Sequence, residues 1–278
     1  MASPHLPSPS QKQRLSLIQK AHEFLKPAML LLPVALLAAS LQPVIAADPT
    51  GDQILRQMSD RLASAHSFSF KATREIDASL LPGISLSGKA RISAVVQRPD
   101  KFAVRSVTKD DSRQFIADGR TLTLFDSRKN FYAVVPMRKT IDALVDEMDS
   151  KYGFTPPLAD FALSNPYQEF RRQARTVVLL GRATTGGGIF GIGGVECDRL
   201  LLKGPVADAE LWIGVRDHLP RKLVATFHRR GHPRVQVDFQ TWILDPSVTS
   251  DSFTFTPPKG ALKIEMWSTA KMQAARKH

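Results

Sequence analysis

The chain carries seven histidines, His5, His22, His66, His218, His228, His232 and His278, and none is spaced as a metal ligand. A zinc or transition-metal centre needs several His, Cys or carboxylate groups converging from short fixed intervals, such as two histidines four apart on one helix face. His228 and His232 instead flank Arg229-Arg230-Gly231, which is turn chemistry, with no cysteine or clustered acid to support them. Asp142, Glu147 and Asp149 come nearest to paired carboxylates, but they fall on the polar side of a helical repeat, where acids serve solvation. Cys197, the chain's single cysteine, lies inside a strand pattern and reads as a small buried hydrophobe; one cysteine also excludes an internal disulfide. There is no Gly-x-Ser-x-Gly elbow. The glycines Gly186, Gly187, Gly188, Gly191, Gly193 and Gly194 lack the Lys-Ser/Thr and the strand-to-helix context of a phosphate cradle, so they read as a hairpin tip. Ile189, Phe190 and Ile192 within that run leave an exposed apolar tip as the alternative. No catalytic residue, metal ligand or cofactor is expected.

The chemistry left is apolar. Leu211, Ile213, Leu223, Ala225, Phe227, Val235, Val237 and Phe239 share one alternation phase within their strands and are the candidate wall of a ligand groove. Each CH2 that an acyl chain buries there contributes about 0.8 kcal/mol, so a groove can hold one long chain without any special polar group. The competing expectation is that these side chains meet covering helices directly and leave no cavity.

These residues belong to four successive strand patterns, 195–202, 209–213, 221–227 and 235–244, closed by Gly204-Pro205, Asp217 with Pro220, and Gly231 with Pro233. Period-two alternation between tight turns is the pattern of an antiparallel meander with one dry face. A first meander precedes it, over 68–76, 87–96, 101–107, 114–117, 121–125 and 130–135, with Leu81-Pro82-Gly83, Pro99-Asp100 and Asp118-Gly119 as turns. Asp48-Pro49 is a plausible helix start, and Ile54, Met58 and Leu62 repeat every four residues in an amphipathic helix ending near His66. Between the meanders the period becomes helical. Thr140 caps Ile141, Leu144, Val145 and Met148, a second short helix begins near Pro156-Pro157, a third at Asn165-Pro166, and strand pattern resumes at 176–180.

Residues 1–26 are basic, 27–47 carry no charge and are strongly apolar, and Val44-Ile45-Ala46-Ala47 ends in small residues. That order predicts a secretory signal over 1–47, favoured over an uncleaved anchor by Pro33, Pro43 and the small-residue end. No cysteine follows it to take a lipid. The net charge of the whole chain is +12, from 38 Lys+Arg against 26 Asp+Glu, which favours anionic surfaces without specifying a fold. At the other end Lys259, Lys263, Lys271, Arg276 and Lys277 surround Ile264, Glu265, Met266 and Trp267, a basic tail expected to be solvated, or alternatively to lie on anionic lipid.

Several segments resemble a bacterial family of predicted periplasmic proteins known only as a domain of unknown function. They are Gln97-Arg98-Pro99-Asp100-Lys101, Asp118-Gly119-Arg120-Thr121-Leu122, Asn130-Phe131-Tyr132-Ala133, Thr140-Ile141-Asp142, Pro157-Leu158-Ala159-Asp160, Gly194-Val195-Glu196-Cys197-Asp198-Arg199-Leu200, Leu211-Trp212-Ile213 and Leu219-Pro220-Arg221-Lys222-Leu223-Val224. The chain departs from the family at Arg199, where histidine is usual, and at Ala209, where an aromatic is common. The family is similar in turn to the LolA/LolB lipoprotein carriers, which implies an open half β-barrel with helices in its concave face and a groove for acyl chains.

The fold class expected is therefore α+β, mainly antiparallel β, LolA-like. It comprises a domain over 48–258 with a helical insert at 139–173 and a tail at 259–278. The function expected is a periplasmic, monomeric, non-enzymatic carrier or sensor of a lipid or acylated lipoprotein, with an anionic membrane surface as a further contact and no nucleic acid. The alternative is an envelope protein–protein interaction module or regulator whose groove is filled by its own side chains.

Overall fold

The computed structural model describes residues 49–80, 88–137, 139–187 and 193–275. The expected leader, the turn at Leu81-Pro82-Gly83, the tip residues Ile189, Phe190 and Ile192, and Arg276-Lys277 lie outside the described residues.

One sheet carries the described part of the chain. Its strands are β1 (Ser67–Ile76), β2 (Lys89–Gln97), β3 (Lys101–Val107), β4 (Ser112–Asp118), β5 (Thr121–Asp126), β6 (Phe131–Pro136), β7 (Thr176–Thr185), β8 (Val195–Lys203), β9 (Ala207–Gly214), β10 (Pro220–Phe227), β11 (Arg234–Leu244) and β12 (Leu262–Lys263). They lie in the order β12-β6-β5-β4-β3-β2-β1-β11-β10-β9-β8-β7, so two meanders join where β1 pairs with β11 and the sheet does not close on itself. Every pairing is antiparallel except the short parallel contact of β12 with β6. The architecture is the expected one, α+β with an open, mainly antiparallel sheet.

Turn residues set the register. The Asp118 carboxylate accepts from the Arg120 and Thr121 N–H groups, both at 2.7 Å, while Gly119 takes φ +90°, a conformation that favours glycine. At Gly204 an added Cβ would lie 2.6 Å from the Gln173 carbonyl oxygen and 2.7 Å from that of Ala207, so only glycine fits between residue 173 and the β8–β9 turn.

The helices cover one face of the sheet, its inner face. Helix α1 (Gly51–Ala63) starts at Thr50 rather than at the expected Asp48-Pro49. The Gln53 N–H donates to the Thr50 hydroxyl oxygen, and Thr50 N–H donates to Gln53 Oε1 at 2.8 Å, a reciprocal cap. Ile54, Leu55, Met58 and Leu62 are fully buried, each worth about 1.5–3 kcal/mol of transfer. Helix α2 (Ile141–Glu147) is capped by Thr140, as expected, and runs into a single π turn, Met148–Tyr152, that ends at Gly153 with φ +71°. The expected helix near Pro156 is only a 3-10 turn, Ala159–Phe161. Helix α3 (Pro166–Gln173) begins with Asn165 as cap and proline in its first turn.

Polar ties hold this lid together. Tyr167 N–H donates to Ser59 Oγ at 2.9 Å and its hydroxyl to the Asp52 carboxylate at 2.8 Å, joining α3 to α1. Arg98, at the end of β2, donates to the Ala162 carbonyl at 2.8 Å and the Leu62 carbonyl at 3.4 Å, so one guanidinium fixes both the insert and the end of α1 to the sheet. Asp142, read from sequence as a solvating acid, accepts from the Ser164 hydroxyl at 2.7 Å and its N–H at 3.0 Å, closing the insert on itself.

After β11 the chain crosses the outer face. The Asp245 carboxylate accepts from the His66 and Ser67 N–H groups, and a 3-10 turn, Ser250–Phe253, lies against β3 and β4. The Phe255 ring sits 5.5 Å from both Phe125 and Tyr132. Residues 259–275, expected as a basic tail, carry β12 beside β6 and a short helix α4 (Thr269–Ala275), whose Thr269 hydroxyl donates to the Lys151 carbonyl at 3.2 Å. Among the described residues no helix is long and apolar enough to cross a membrane.

Candidate functional site

The pairing register shows which side chains share the inner face. Leu211 lies opposite Leu200 and Leu223, Leu223 opposite Val237, and Val237 opposite Arg74; Ala225 lies opposite Ala209 and Val235, Phe239 opposite Ala72, and Phe227 opposite Ala207. The eight residues singled out from sequence therefore do lie on one face. Leu211, Ile213, Val237 and Phe239 are buried there, and Leu223, Ala225, Phe227 and Val235 are half-buried.

The middle of that face is full. Phe161, with no exposure, sits edge-on between Phe170 (5.4 Å) and Phe239 (5.3 Å). Beneath the insert, Phe70, Ala94, Phe102 and Val104 of the sheet meet Ile141, Val145 and Leu158 around a space of only about 20 Å³. A void of that size has room for about one water and for no acyl chain.

The inner face opens over β3–β6. A cleft of about 670 Å³ lies between these strands, the loop after the π turn, and the returning C-terminal segment, a size typical of small-molecule sites. Its apolar floor is the cross-strand row Phe115–Leu124–Ala133 with Phe131 beside it. Phe154 stands over Phe115 with ring centres 6.2 Å apart, and Pro157, Ile264 and Met266 complete the walls. A larger depression, about 870 Å³, runs along Pro99, Gly119, Pro136 and Thr140, with the charged groups of Asp100, Arg120, Lys139 and Lys263 spread around it.

One side of the apolar cleft is charged. Among the described residues, Arg74 of β1, Arg113 of β4 and Lys129 enter it against one carboxylate, that of Asp126, a balance of three positive groups to one negative. Arg113 pairs with Asp126 at 3.4 Å. Arg74 Nε is buried with no hydrogen-bond partner among the described residues, and burial together with the nearby Arg113 charge holds the Arg74 guanidinium below its ordinary pKa. Sequence reasoning missed both arginines. The signal was a charge in the dry phase of a strand: Arg74 continues the series Phe68, Phe70, Ala72, and Arg113 shares its phase with Phe115 and Ala117.

The other reactive groups are spent locally. Cys197 is fully buried, and burial pushes its thiol up to about 11. Arg199 donates to Glu210 at 2.8 Å and lies 5.0 Å over the Trp212 ring, in a charge ladder on the outer face. His228 reaches Asp208 at 3.3 Å, and His218 and His232 occupy positive-φ turn positions. Among the described residues no three His, Cys, Asp or Glu side chains are placed to hold a metal.

Sheet, lid and cleft define an α+β protein built on one open, mainly antiparallel sheet. The chain belongs to the DUF2092 family of predicted periplasmic proteins, whose sequence pattern matches residues 51–267. No curated protein matches it in sequence. Among solved structures it is similar to the MucA/MucB complex of Pseudomonas aeruginosa, with 12% identity over 74% of this chain and 61% of that one and a TM-score of 0.42. It is also similar to the LolA superfamily protein NE2245 from Nitrosomonas europaea, with 13% identity over 75% and 99% of the two chains and a TM-score of 0.34. A third similar structure is a putative outer membrane lipoprotein-sorting protein domain from Vibrio parahaemolyticus, with 7% identity over 73% and 95% and a TM-score of 0.35. The chain spans about three-fifths of the length of the MucB-containing structures. Likeness at this level says nothing about what the chain binds.

Proposed function

We propose that this protein is an exported, non-enzymatic carrier or sensor that holds one apolar chain of a lipid or lipoprotein in the inner-face cleft over β3–β6. The observation that carries this reading is the cleft itself, about 670 Å³ with an aromatic and aliphatic floor, left open in a sheet whose centre is packed shut. Half-buried Leu223, Ala225, Phe227 and Val235, next to Arg74 through its neighbour Val237, extend the apolar face away from the cleft; buried Leu211, Ile213, Val237 and Phe239 support it from within. Export rests on the N-terminal pattern of residues 1–47 and on the family's description as predicted periplasmic. The test is titration with the neutral probe N-phenyl-1-naphthylamine, whose fluorescence rises in apolar surroundings. One site is expected, lost in Leu124→Asp and in Ile264→Gln; absence of binding, or binding indifferent to both variants, rejects the reading.

The filled centre favours a second reading, an interaction module of the cell envelope that presents its surface to a protein. Phe161 and its neighbours occupy the space a carrier's ligand would take. Recovery of one stoichiometric protein partner with no co-purified lipid in native mass spectrometry supports this second reading over the first.

A further inference from the structure

We infer that the ligand of the inner-face cleft is an anionic single-chain amphiphile, its acyl chain on the Phe115–Leu124–Ala133 floor and its carboxylate or phosphate head between Arg74 and Arg113. This rests on the cleft being a site for an apolar chain, and it adds the chemistry of the head. Arg74 occupies a position in β1 whose same-face neighbours are apolar, Ala72 on its own strand, Ala90 on β2 and Val237 on β11. An arginine taken out of water among such neighbours is costly unless a partner offsets it. Among the described residues no carboxylate pairs with Arg74 and its Nε has no acceptor, and the nearby Arg113 charge has the same sign. The arrangement makes sense if an anion completes it: a carboxylate or phosphate can accept from both guanidinium groups in a partly dry site, where such charge-assisted bonds are strong.

The rest of the cleft agrees. Asp126 neutralises only part of Arg113, at 3.4 Å, and Lys129 adds a third positive group. The charged groups Arg74, Arg113, Asp126 and Lys129 come from β1, β4, β5 and the β5–β6 turn, with Ser106 and Gln114 beside them, while Phe154, Pro157, Ile264 and Met266 bring mainly apolar surface, with Thr155 among them, from the insert and the C-terminal segment. A site with one charged and one apolar side suits a ligand divided in the same way.

The experiment compares displacement of N-phenyl-1-naphthylamine by palmitate, by 1-palmitoyl lysophosphatidate and by neutral 1-palmitoylglycerol. At least one anion is expected to compete about tenfold or more better than the neutral lipid, the worth of one or two charge-assisted hydrogen bonds. Preference for palmitate identifies a carboxylate head, and preference for lysophosphatidate a phosphate head. Arg74→Met and Arg113→Met should each erase about tenfold of that preference, while Arg91→Met on the outer face of β2 leaves it intact. Asp126→Asn, which removes the competing carboxylate, should raise anion affinity severalfold, a gain that misfolding cannot imitate. If all three lipids compete equally, or Asp126→Asn leaves anion affinity unchanged, the head-group assignment is wrong although the cleft still binds a chain. If no lipid displaces the probe and the probe itself does not bind, the carrier reading fails with it.

Discussion

Replacing Phe161 with alanine tests whether the centre of the inner face is solid core. The ring is fully buried and makes two edge-on aromatic contacts, to Phe170 at 5.4 Å and to Phe239 at 5.3 Å. Truncating a buried phenylalanine costs about 3–5 kcal/mol through lost transfer energy and the cavity left behind, and the two ring pairs, at about 0.5–1.5 kcal/mol each, place this site in the upper half of that range. A loss of about 4 kcal/mol is therefore expected. With a urea slope of about 3 kcal/mol per molar, toward the top of the range for a chain of this size, the unfolding midpoint should fall by about 1.3 M. Phe161→Leu, which keeps most of the volume, should lose less than half as much. The assay is urea unfolding followed by tryptophan fluorescence, which Trp242, its ring tilted 5.3 Å from that of Phe239, is well placed to report. A midpoint shift below about 0.3 M for Phe161→Ala would mean that the ring sits in a loose or ligand-accessible space, and the account of a self-filled centre would be refuted.

Burial, with Glu169 nearby, pushes the Asp160 carboxyl up from 3.8 to about 6. The folded state thus keeps a proton that the unfolded chain has lost, so this group's contribution to stability falls as pH rises from about 4 to 6, by about 2–3 kcal/mol. The Asp160→Asn variant should gain on the wild type across that window and keep the gain at pH 7.5; parallel pH profiles of thermal unfolding refute this. Arg98→Met leaves the Ala162 and Leu62 carbonyls without their donor. It should cost about 2 kcal/mol, or about 4–8 °C in melting temperature; an unchanged melting temperature contradicts its role as a tie between lid and sheet. Native protein at pH 8 should leave Cys197 unlabelled by Ellman's reagent until urea is added, because its thiol is buried and held protonated. Thr50→Ala, which removes the reciprocal cap on α1, should lower stability by about 1 kcal/mol in the same urea assay.

Strands were the legible part of this fold because a half-buried sheet writes its period directly into sequence. The patterns at 195–202, 209–213, 221–227 and 235–244 correspond to β8–β11 within one or two residues. The strand expected over 176–180 was cut short because Gly181 looks like a stop; in the structure the register shifts between Leu179 and Gly181 and the pairing continues to Thr185. Helix α1 was legible from its four-residue repeat, but its start was placed at Asp48-Pro49 because the capping box of Thr50 with Gln53, which fixes the true start, was passed over. The paired β12 and helix α4 were hidden for another reason. Two residues of parallel pairing to β6 leave no periodicity, and the docking depends on Phe253 and Phe255 meeting a surface over a hundred residues earlier in the chain. The shared face of Leu211 through Phe239 was readable, whereas its coverage was not, since alternation reveals which side is dry and not what lies against it. Arg74 and Arg113 were missed because charge was judged by total and by run, not by phase.

The seam between the two meanders has a kinetic consequence. Ser67–Ile76 pairs with Arg234–Leu244 across more than 150 intervening residues, so much of the closure entropy is lost before the central contact forms. Such high contact order slows folding. Until residues past 234 have been synthesised, β1 shows one bare edge of unpaired peptide groups, the kind of template on which chains aggregate. Because Ile264 and Met266 come later still, the cleft is among the last features to assemble, and a nascent or truncated chain that lacks them has a sheet but no complete pocket.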